Sequence, residues 1–239
     1  MRGEQPTDSH RFHFIFGLRK QRQPLHLVHY LAIESCYQVN RYGLRNRMCK
    51  RYVHAHRSDF IGLQVLLAEG VYADIDTLFV NPLPARLIKQ LCVLGREHDV
   101  MDPCTGELRP SLCNALIVAG PCAEFVRRWL GAMAEAFDGT WSNHSTLLPC
   151  RLAEQHPRLL HAEQSRSFSP FMWSRQDLHR LLEGCERDLR DVCSIHLWSH
   201  LWWERGRRDF SDFWGDLITE EHIRNKDTTY NLIARRFLP

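Results

Sequence analysis

Two aspartates one residue apart, Asp74 and Asp76, are the part of the sequence best suited to chemistry. They lie within VYADIDTLFV (71–80), a β-branched and aromatic run that predicts a buried strand. Side chains alternate faces along a strand, so both carboxylates would project the same way, roughly 6.6 to 7 Å apart. A hard divalent cation such as Mn²⁺ or Mg²⁺ would relieve their mutual repulsion and could bind phosphate oxygens. Two solvated carboxylates at a strand end would give the same pattern, so the pair alone does not decide the function.

The elements that must position this pair alternate along the first 140 residues. Apolar runs predict strands at 12–18, 51–56, 71–80, 91–95, 114–120 and 193–198. Helical spacing predicts helices at 25–39, from an N-cap region at Ser58–Asp59 to Gly70, and at 123–137. This order predicts an α/β fold with a mainly parallel central sheet and helices on both faces. We expect one domain over residues 12–239, after a disordered N-terminal segment at 1–11.

The composition excludes several other classes of protein. A hydrophobic fraction of 44% and a charged fraction of 25% are ordinary for a globular domain. The net charge of +3 is dispersed, which argues against a nucleic-acid partner, although basic clusters at 41–51 and 205–208 would suit peripheral contact with a membrane. Nine scattered cysteines without a CxxC pair predict reduced thiols. With no run of roughly 18 apolar residues and no signal peptide, the sequence predicts a cytoplasmic protein without a transmembrane segment.

DIDTL also matches the DxDxT pattern of haloacid-dehalogenase-like phosphatases, with Asp74 as nucleophile and Asp76 as acid/base. Such a protein would need a long apolar strand before the motif, a downstream lysine and a late acidic pair. Only three residues separate Gly70 from Asp74, and the motif follows two predicted strands and two predicted helices rather than opening the fold. These features disfavour the phosphatase and leave it as an alternative.

The stretch SDFIGLQVLLAEGVYADIDTLFVNPL (58–83) resembles the DXD-motif sugar-binding glycosyltransferase family of the GT-A fold. That family is related to α1,4-galactosyltransferase, yeast α-mannosyltransferases and capsular polysaccharide transferases. HFIFGL near the start, NALIVAGPCAEFV (114–126) and SIHLWSHLWW (194–203) resemble further family segments in the same order. The resemblance implies transfer of a hexose from a nucleotide diphosphate sugar, a UDP-sugar in particular, to a saccharide or glycolipid acceptor, with retention at the anomeric carbon.

The resemblance also implies roles for individual residues. Asp76 would bind the metal directly, Asp74 would bind it through water, and His196 would complete the metal or diphosphate shell, unless His196 is a hydrogen-bonded core residue. Asp59 would hydrogen-bond the donor sugar. The remaining donor-binding candidates are Phe16, Tyr72, Asn114 and Trp198, for which packing or turn roles remain open.

The sequence departs from the family at Gly62, where an arginine that binds sugar or phosphate is usual. This departure leaves the donor open and makes a catalytically silent sugar-nucleotide binder a further alternative.

Overall fold

The computed structural model describes residues 11–15, 25–40, 44–45, 54–68, 70–203 and 213–239. The strands of this part are β1 Phe12–His13, β2 Leu44–Arg45, β3 Gly70–Ala73, β4 Thr77–Phe79, β5 Cys92–Met101, β6 Leu108–Ala119, β7 His161–Glu163 and β8 Ser194–His196. The predicted strand at 12–18 is thus described only at its start. Of the predicted disordered segment at 1–11, only Arg11 belongs to the described residues.

Six of these strands form one sheet in the order β2-β1-β3-β6-β5-β7. Strand β6 runs antiparallel to both of its neighbours, and the other three pairings are parallel. Five strands therefore share one direction, which confirms the predicted mainly parallel sheet. Strands β5 and β6 extend beyond the predicted 91–95 and 114–120. The added residues of β5 are mostly polar and exposed, and those of β6 begin with three exposed residues, so neither extension carries a continuous apolar pattern.

Helices cover both faces of the sheet, as predicted. They are α1 Leu27–Asn40, α2 His54–Leu66, α3 Ala85–Ile88, α4 Glu124–Ala136, α5 Leu148–Gln155, α6 Ser165–Phe168, α7 Arg175–Leu182, α8 Ser199–Trp202, α9 Glu220–Asn225 and α10 Thr229–Ala234. Short turns of other helix types span Asn143–Leu147 (π), Gly215–Leu217 and Arg235–Phe237 (both 3-10). On one face, Tyr72 packs among side chains of α2, α4 and α5. On the other, Val71 and Ala73 pack against α1, α3 and α6.

The strand predicted at 71–80 is two strands in two different sheets. Strand β3 ends at Ala73, and β4 begins at Thr77 and pairs antiparallel with β8 in a separate two-stranded sheet. Asp74 to Asp76 form the turn between them, closed by a hydrogen bond of 2.9 Å from the Thr77 N–H to the Asp74 carbonyl. The prediction of one continuous strand was wrong because the apolar run on either side conceals the change of sheet.

The prediction of a strand at 51–56 was also wrong for the residues of this range that the structure describes. Helix α2 begins at His54, so His54 to His56 are helical, and 51–53 lie outside the described residues. Ser58 and Asp59 consequently lie in the second turn of α2 and not at its N-cap. The helix carries no apolar stripe over its first turn, which is why its start could not be seen from spacing.

A bidentate ion pair attaches the edge strand β7 to α3. The two Arg86 amino groups donate to the Glu163 carboxylate at 2.7 and 2.9 Å, and the Ser167 hydroxyl donates to the same group at 2.7 Å. Hydrogen bonding from Arg86 holds the pKa of Glu163, whose side chain is 6% exposed, down to about 2. Because the folded pKa lies below the unfolded value, this contribution to stability is complete above pH 4.5 and is lost as the pH falls towards 2.

We therefore expect Glu163→Gln to lower the free energy of unfolding by about 2 kcal/mol at pH 6, after allowance for the exposed Arg86. The loss relative to the unmodified chain should shrink as the pH is lowered from 4.5 towards 3. Urea denaturation at several pH values measures both effects. Glu107→Gln, at the exposed Arg109–Glu107 pair, is the control and should change stability by less than about 0.5 kcal/mol. A Glu163→Gln deficit that does not vary with pH would contradict the account.

No helix within the described ranges combines the length and the apolar character that a bilayer span requires. The cysteines in the same ranges are free thiols, of which Cys36, Cys92, Cys113 and Cys193 are buried.

Candidate functional site

The turn between β3 and β4 brings Asp74 and Asp76 towards His196. The Asp74 N–H donates to the Ala115 carbonyl at 2.8 Å, which fixes the start of the turn against β6. Thr77 lies opposite His196 in the β4–β8 pair. Since this pairing places the end of β8 beside the turn, the imidazole meets both carboxylates. The two aspartates face the same site, as predicted, but a turn and not the pleat of one strand brings them there.

These three side chains form a compact group of possible metal ligands. The His196 Nε2 atom is 3.2 Å from Asp76 Oδ1 and 3.7 Å from Asp74 Oδ2. One ligand atom from each residue lies within 4.8 Å of the other two. Asp76 and His196 are buried, whereas about a quarter (26%) of the Asp74 side chain is exposed. The group can therefore be reached from solvent on the Asp74 side.

Ser199 orients Asp76. Its backbone N–H and its hydroxyl donate to Asp76 Oδ2 at 2.9 and 2.6 Å. Trp198, just before it, has a left-handed backbone (φ 51°), which is uncommon for a bulky residue and turns the chain from β8 into α8. The strained residue thus presents both donors of Ser199 to one oxygen and leaves Asp76 Oδ1 facing His196. Nothing in the sequence marks Ser199 for this role.

Charge and burial shift the pKa values of the two carboxylates in opposite directions. Burial raises the pKa of Asp74 to about 7, against the opposing effect of His196. Burial would likewise raise the pKa of Asp76, but His196 and the Ser199 hydrogen bonds together hold that pKa below its usual value. Burial lowers and Asp76 raises the pKa of His196, and the net direction is upward. Asp76 and His196 therefore form an ion pair, beside which Asp74 holds its proton weakly near neutral pH.

Tyr72 supports this arrangement from the core. Its hydroxyl donates to Asp74 Oδ1 at 2.6 Å, and its ring is 1% exposed. A Cβ atom at Gly62 would lie only 3.0 to 3.2 Å from that ring. Because Gly62 has no side chain, it leaves the space that the Tyr72 ring occupies. A larger residue there, including the arginine usual in the resembling family, would require the Tyr72 ring to move.

Asp59 and Asn114 contact each other beside this group. The Asn114 amide donates to Asp59 Oδ1 at 2.7 Å. On its other oxygen, Asp59 meets the His144 imidazole, with Oδ2 and Nε2 3.2 Å apart. His56 lies one turn before Asp59 in α2, and its Nδ1 is 3.1 Å from the same His144 nitrogen. His56 and His144 were not predicted, because 88 residues separate them and no local pattern links them.

Apart from the buried His144 and Gly62, the site residues line one cleft with a volume of about 880 Å³. Ile15, Tyr72, Asp74, Asp76, Asp59, Asn114, His196, Trp198 and Ser199 contribute to its wall. Phe16, the remaining predicted donor-binding residue, lies outside the described residues. Trp198 packs its ring 4.1 Å from that of His196 and donates its indole N–H to the Phe171 carbonyl, so most of its surface is buried.

The cleft also contains residues that the sequence did not indicate. Glu97 of β5 lines it and accepts a hydrogen bond from the Ser111 hydroxyl, and burial raises the pKa of Glu97. Trp141 stacks on His200 at 5.1 Å and is about half exposed. Among the described residues, no lysine or arginine lines the cleft.

The residues around Asp74 and Asp76 fit a hard divalent cation such as Mn²⁺ or Mg²⁺. Carboxylate oxygens with one imidazole are a donor set suited to these ions. The His196 Nε2 atom faces both carboxylates and is therefore the nitrogen that would bind the ion. Ser199 supplies the outer hydrogen bonds that usually orient a ligating carboxylate.

The chain is similar to known proteins both in sequence and in structure. Glucan organizing enzyme 1 of Cryptococcus neoformans var. grubii serotype A is 29% identical over 189 residues, or 77% of this chain. The chain spans about half (48%) of that relative's length. No protein-family model matches.

Two solved glycosyltransferase structures are similar to the chain. PaToxG glycosyltransferase has a TM-score of 0.42 at 13% identity, covering 62% of this chain and 70% of its own. A glycosyltransferase involved in the glycosylation of the major capsid of PBCV-1 has a TM-score of 0.48 at 10% identity, covering 80% and 94%.

Proposed function

We propose that this chain is a metal-dependent glycosyltransferase that moves a hexose from a nucleotide diphosphate sugar, a UDP-sugar in particular, to a saccharide or lipid-linked acceptor. The observation that carries the proposal is the Asp74–Asp76–His196 group on the wall of a cleft of about 880 Å³. A cleft of this size can enclose a ligand as large as a nucleotide sugar.

The charge of the cleft favours a donor that arrives with a cation. A diphosphate carries negative charge that increases as it leaves, and the described wall offers several carboxylates, the His196 imidazole already paired with Asp76, and no lysine or arginine. Mn²⁺ or Mg²⁺, held by Asp76, Asp74 and His196, would supply the positive charge that stabilises the leaving diphosphate. Asp76 is the residue best placed to bind directly, since Ser199 fixes one oxygen and leaves the other at the site.

The other cleft residues would bind and orient the donor. Tyr72 holds Asp74 through its hydroxyl, which keeps that carboxylate facing the site. Asp59 Oδ1 and the Asn114 amide form a polar pair on the wall, suited to the hydroxyls of a sugar. Trp198, whose ring packs against His196, would form the part of the cleft wall that contacts the nucleotide. Retention at the anomeric carbon follows from the resemblance, and in that case the departing phosphate can accept the proton of the acceptor hydroxyl.

The phosphatase alternative has less support. Its nucleophile, Asp74, would need to be free to attack, yet its Oδ1 accepts a hydrogen bond from the Tyr72 hydroxyl. The described cleft also offers no lysine to bind a phosphate. The single domain over 12–239, the cytoplasmic location and the peripheral membrane contact remain predictions from the sequence.

The experiment that tests the proposal measures thermal stabilisation by a panel of UDP- and GDP-sugars with and without Mn²⁺. We expect one donor class to raise the melting temperature only when Mn²⁺ is present, because binding to the folded state stabilises it by mass action. Slow Mn²⁺-dependent hydrolysis of the same donor would separate an enzyme from a silent binder. Stabilisation by no nucleotide sugar, together with trapping of an aspartyl phosphate on Asp74, would overturn the proposal.

A further inference from the structure

A second group of metal-type ligands lies beside the cleft, apart from the aspartate pair, and two of its three members line the cleft wall. It consists of His56 and Asp59 of α2 and His144 of the π-helical turn Asn143–Leu147. All three residues are buried or nearly so, with side-chain exposures of 9%, 13% and 0%. We propose that this group, here called the His–Asp–His site, binds a transition-metal ion of the zinc class.

The distances between the ligand atoms fit a tetrahedral ion. The His144 Nε2 atom is 3.1 Å from His56 Nδ1 and 3.2 Å from Asp59 Oδ2, and the third separation, from His56 Nδ1 to Asp59 Oδ2, is 3.9 Å. Ligands at roughly 2.0 to 2.1 Å from a tetrahedral zinc ion lie about 3.3 to 3.4 Å from one another. Shifts of a few tenths of an ångström would bring all three atoms to that geometry.

Hydrogen bonding alone satisfies this group poorly. If His144 Nε2 carries a proton, the proton must be shared between His56 Nδ1 and Asp59 Oδ2, because both lie at similar distances. If Nε2 lacks a proton, it is an acceptor beside a carboxylate oxygen that cannot donate when ionised. A cation at the centre satisfies all three atoms at once. Each of the three ligand atoms would then bind the cation through a lone pair.

The surroundings hold the three side chains in place. The Asn114 amide donates to Asp59 Oδ1, which leaves Oδ2 directed at the two imidazoles. The Phe137 ring packs edge-on against both His56 and His144, at 5.1 and 5.0 Å. The backbone carbonyl of His144 accepts the Trp129 indole N–H at 3.0 Å. His144 lies in a π-helical turn that directs it inward. Such turns are rare overall but occur often at functional sites.

The donor atoms distinguish this site from the first. Two imidazoles and one carboxylate favour zinc or cobalt, whereas two carboxylates and one imidazole in the Asp74–Asp76–His196 group suit a harder ion. His56 and Asp59 also line the cleft, so the fourth position of the ion would face it. An ion there would connect α2 with the π-helical turn and fix the wall that carries Asp59 and Asn114.

Metal titration of the chelator-stripped full chain tests this proposal. We expect two Co²⁺ or Zn²⁺ ions per chain, and visible absorption of the intensity typical of tetrahedral Co²⁺. His144→Gln should remove one ion, abolish that absorption and weaken zinc binding at this site at least about 100-fold, since even outer-shell changes cost 10- to 100-fold. His179→Gln, at an exposed histidine of α7, is the matched control and should change nothing.

Asp76→Asn separates this proposal from the proposed function. That variant should lose the other ion and keep the tetrahedral Co²⁺ absorption. His56→Gln provides a second test if His144→Gln does not fold, as judged by circular dichroism. Co²⁺ absorption that persists in both histidine variants, or its absence from the unmodified chain, would overturn the His–Asp–His site and leave the glycosyltransferase proposal untouched.

Discussion

Asp76→Asn should abolish Mn²⁺-dependent donor binding and reduce transfer at least about 100-fold, because it removes a charged metal ligand from the site. The asparagine oxygen can still accept from Ser199, so the turn should keep its shape. The buried His196, however, loses its ionic partner. We therefore expect a loss of about 1–3 kcal/mol in the free energy of unfolding, and not the negligible effect that an exposed strand end would give. Calorimetry with donor and Mn²⁺ measures the binding.

The matched control for this variant is Asp99→Asn. Asp99 lines the same cleft and is exposed, so the change removes the same charge without altering the ligand group. Its donor affinity should stay within about twofold of the unmodified chain, as expected for a solvated charge. Donor binding by Asp76→Asn that equals that of Asp99→Asn would contradict the assignment of the metal to this turn.

Gly70→Ala should destabilise the fold by about 3 kcal/mol or more. Gly70 has a φ of 128°, a conformation that side chains rarely adopt, and a Cβ atom there would lie 2.4 Å from the Arg11 carbonyl oxygen. That oxygen accepts a hydrogen bond of 2.7 Å from the Val71 N–H, so it cannot move away without breaking the contact that begins β3. Urea denaturation measures the loss. Because β3 leads directly to Asp74, donor binding should weaken in parallel.

Gly131→Ala is the control for this effect. Gly131 lies in the exposed part of α4, and a Cβ atom there meets nothing within 4 Å. Alanine should stabilise the helix by about 0.5–1 kcal/mol, since glycine is the poorer helix former. Similar losses in both variants would show that the cost at Gly70 comes from something other than its backbone conformation.

The sequence predicted those parts of the fold whose apolar spacing is strong and local. Helices α1 and α4 and strand β8 lie where their patterns placed them. The Asp74–Asp76 pair and His196 also converge. The break between β3 and β4 could not be predicted, because Asp-Ile-Asp within an apolar run satisfies strand alternation equally well. His56, His144 and Ser199 were invisible for a different reason: only the tertiary fold brings them to their partners.

The division of the 71–80 run between two sheets has a consequence for residues far from the cleft. Asp74 directly follows β3 of the six-stranded sheet, whereas Asp76 directly precedes β4 of the two-stranded sheet and His196 belongs to its other strand, β8. The distance between these ligands therefore depends on how the small sheet sits against the large one. Asn81, just past β4, donates to the Leu189 and Val192 carbonyls at 2.9 and 2.7 Å and so fixes β4 to the segment before β8. Changes at such remote joints would alter metal affinity without touching a ligand.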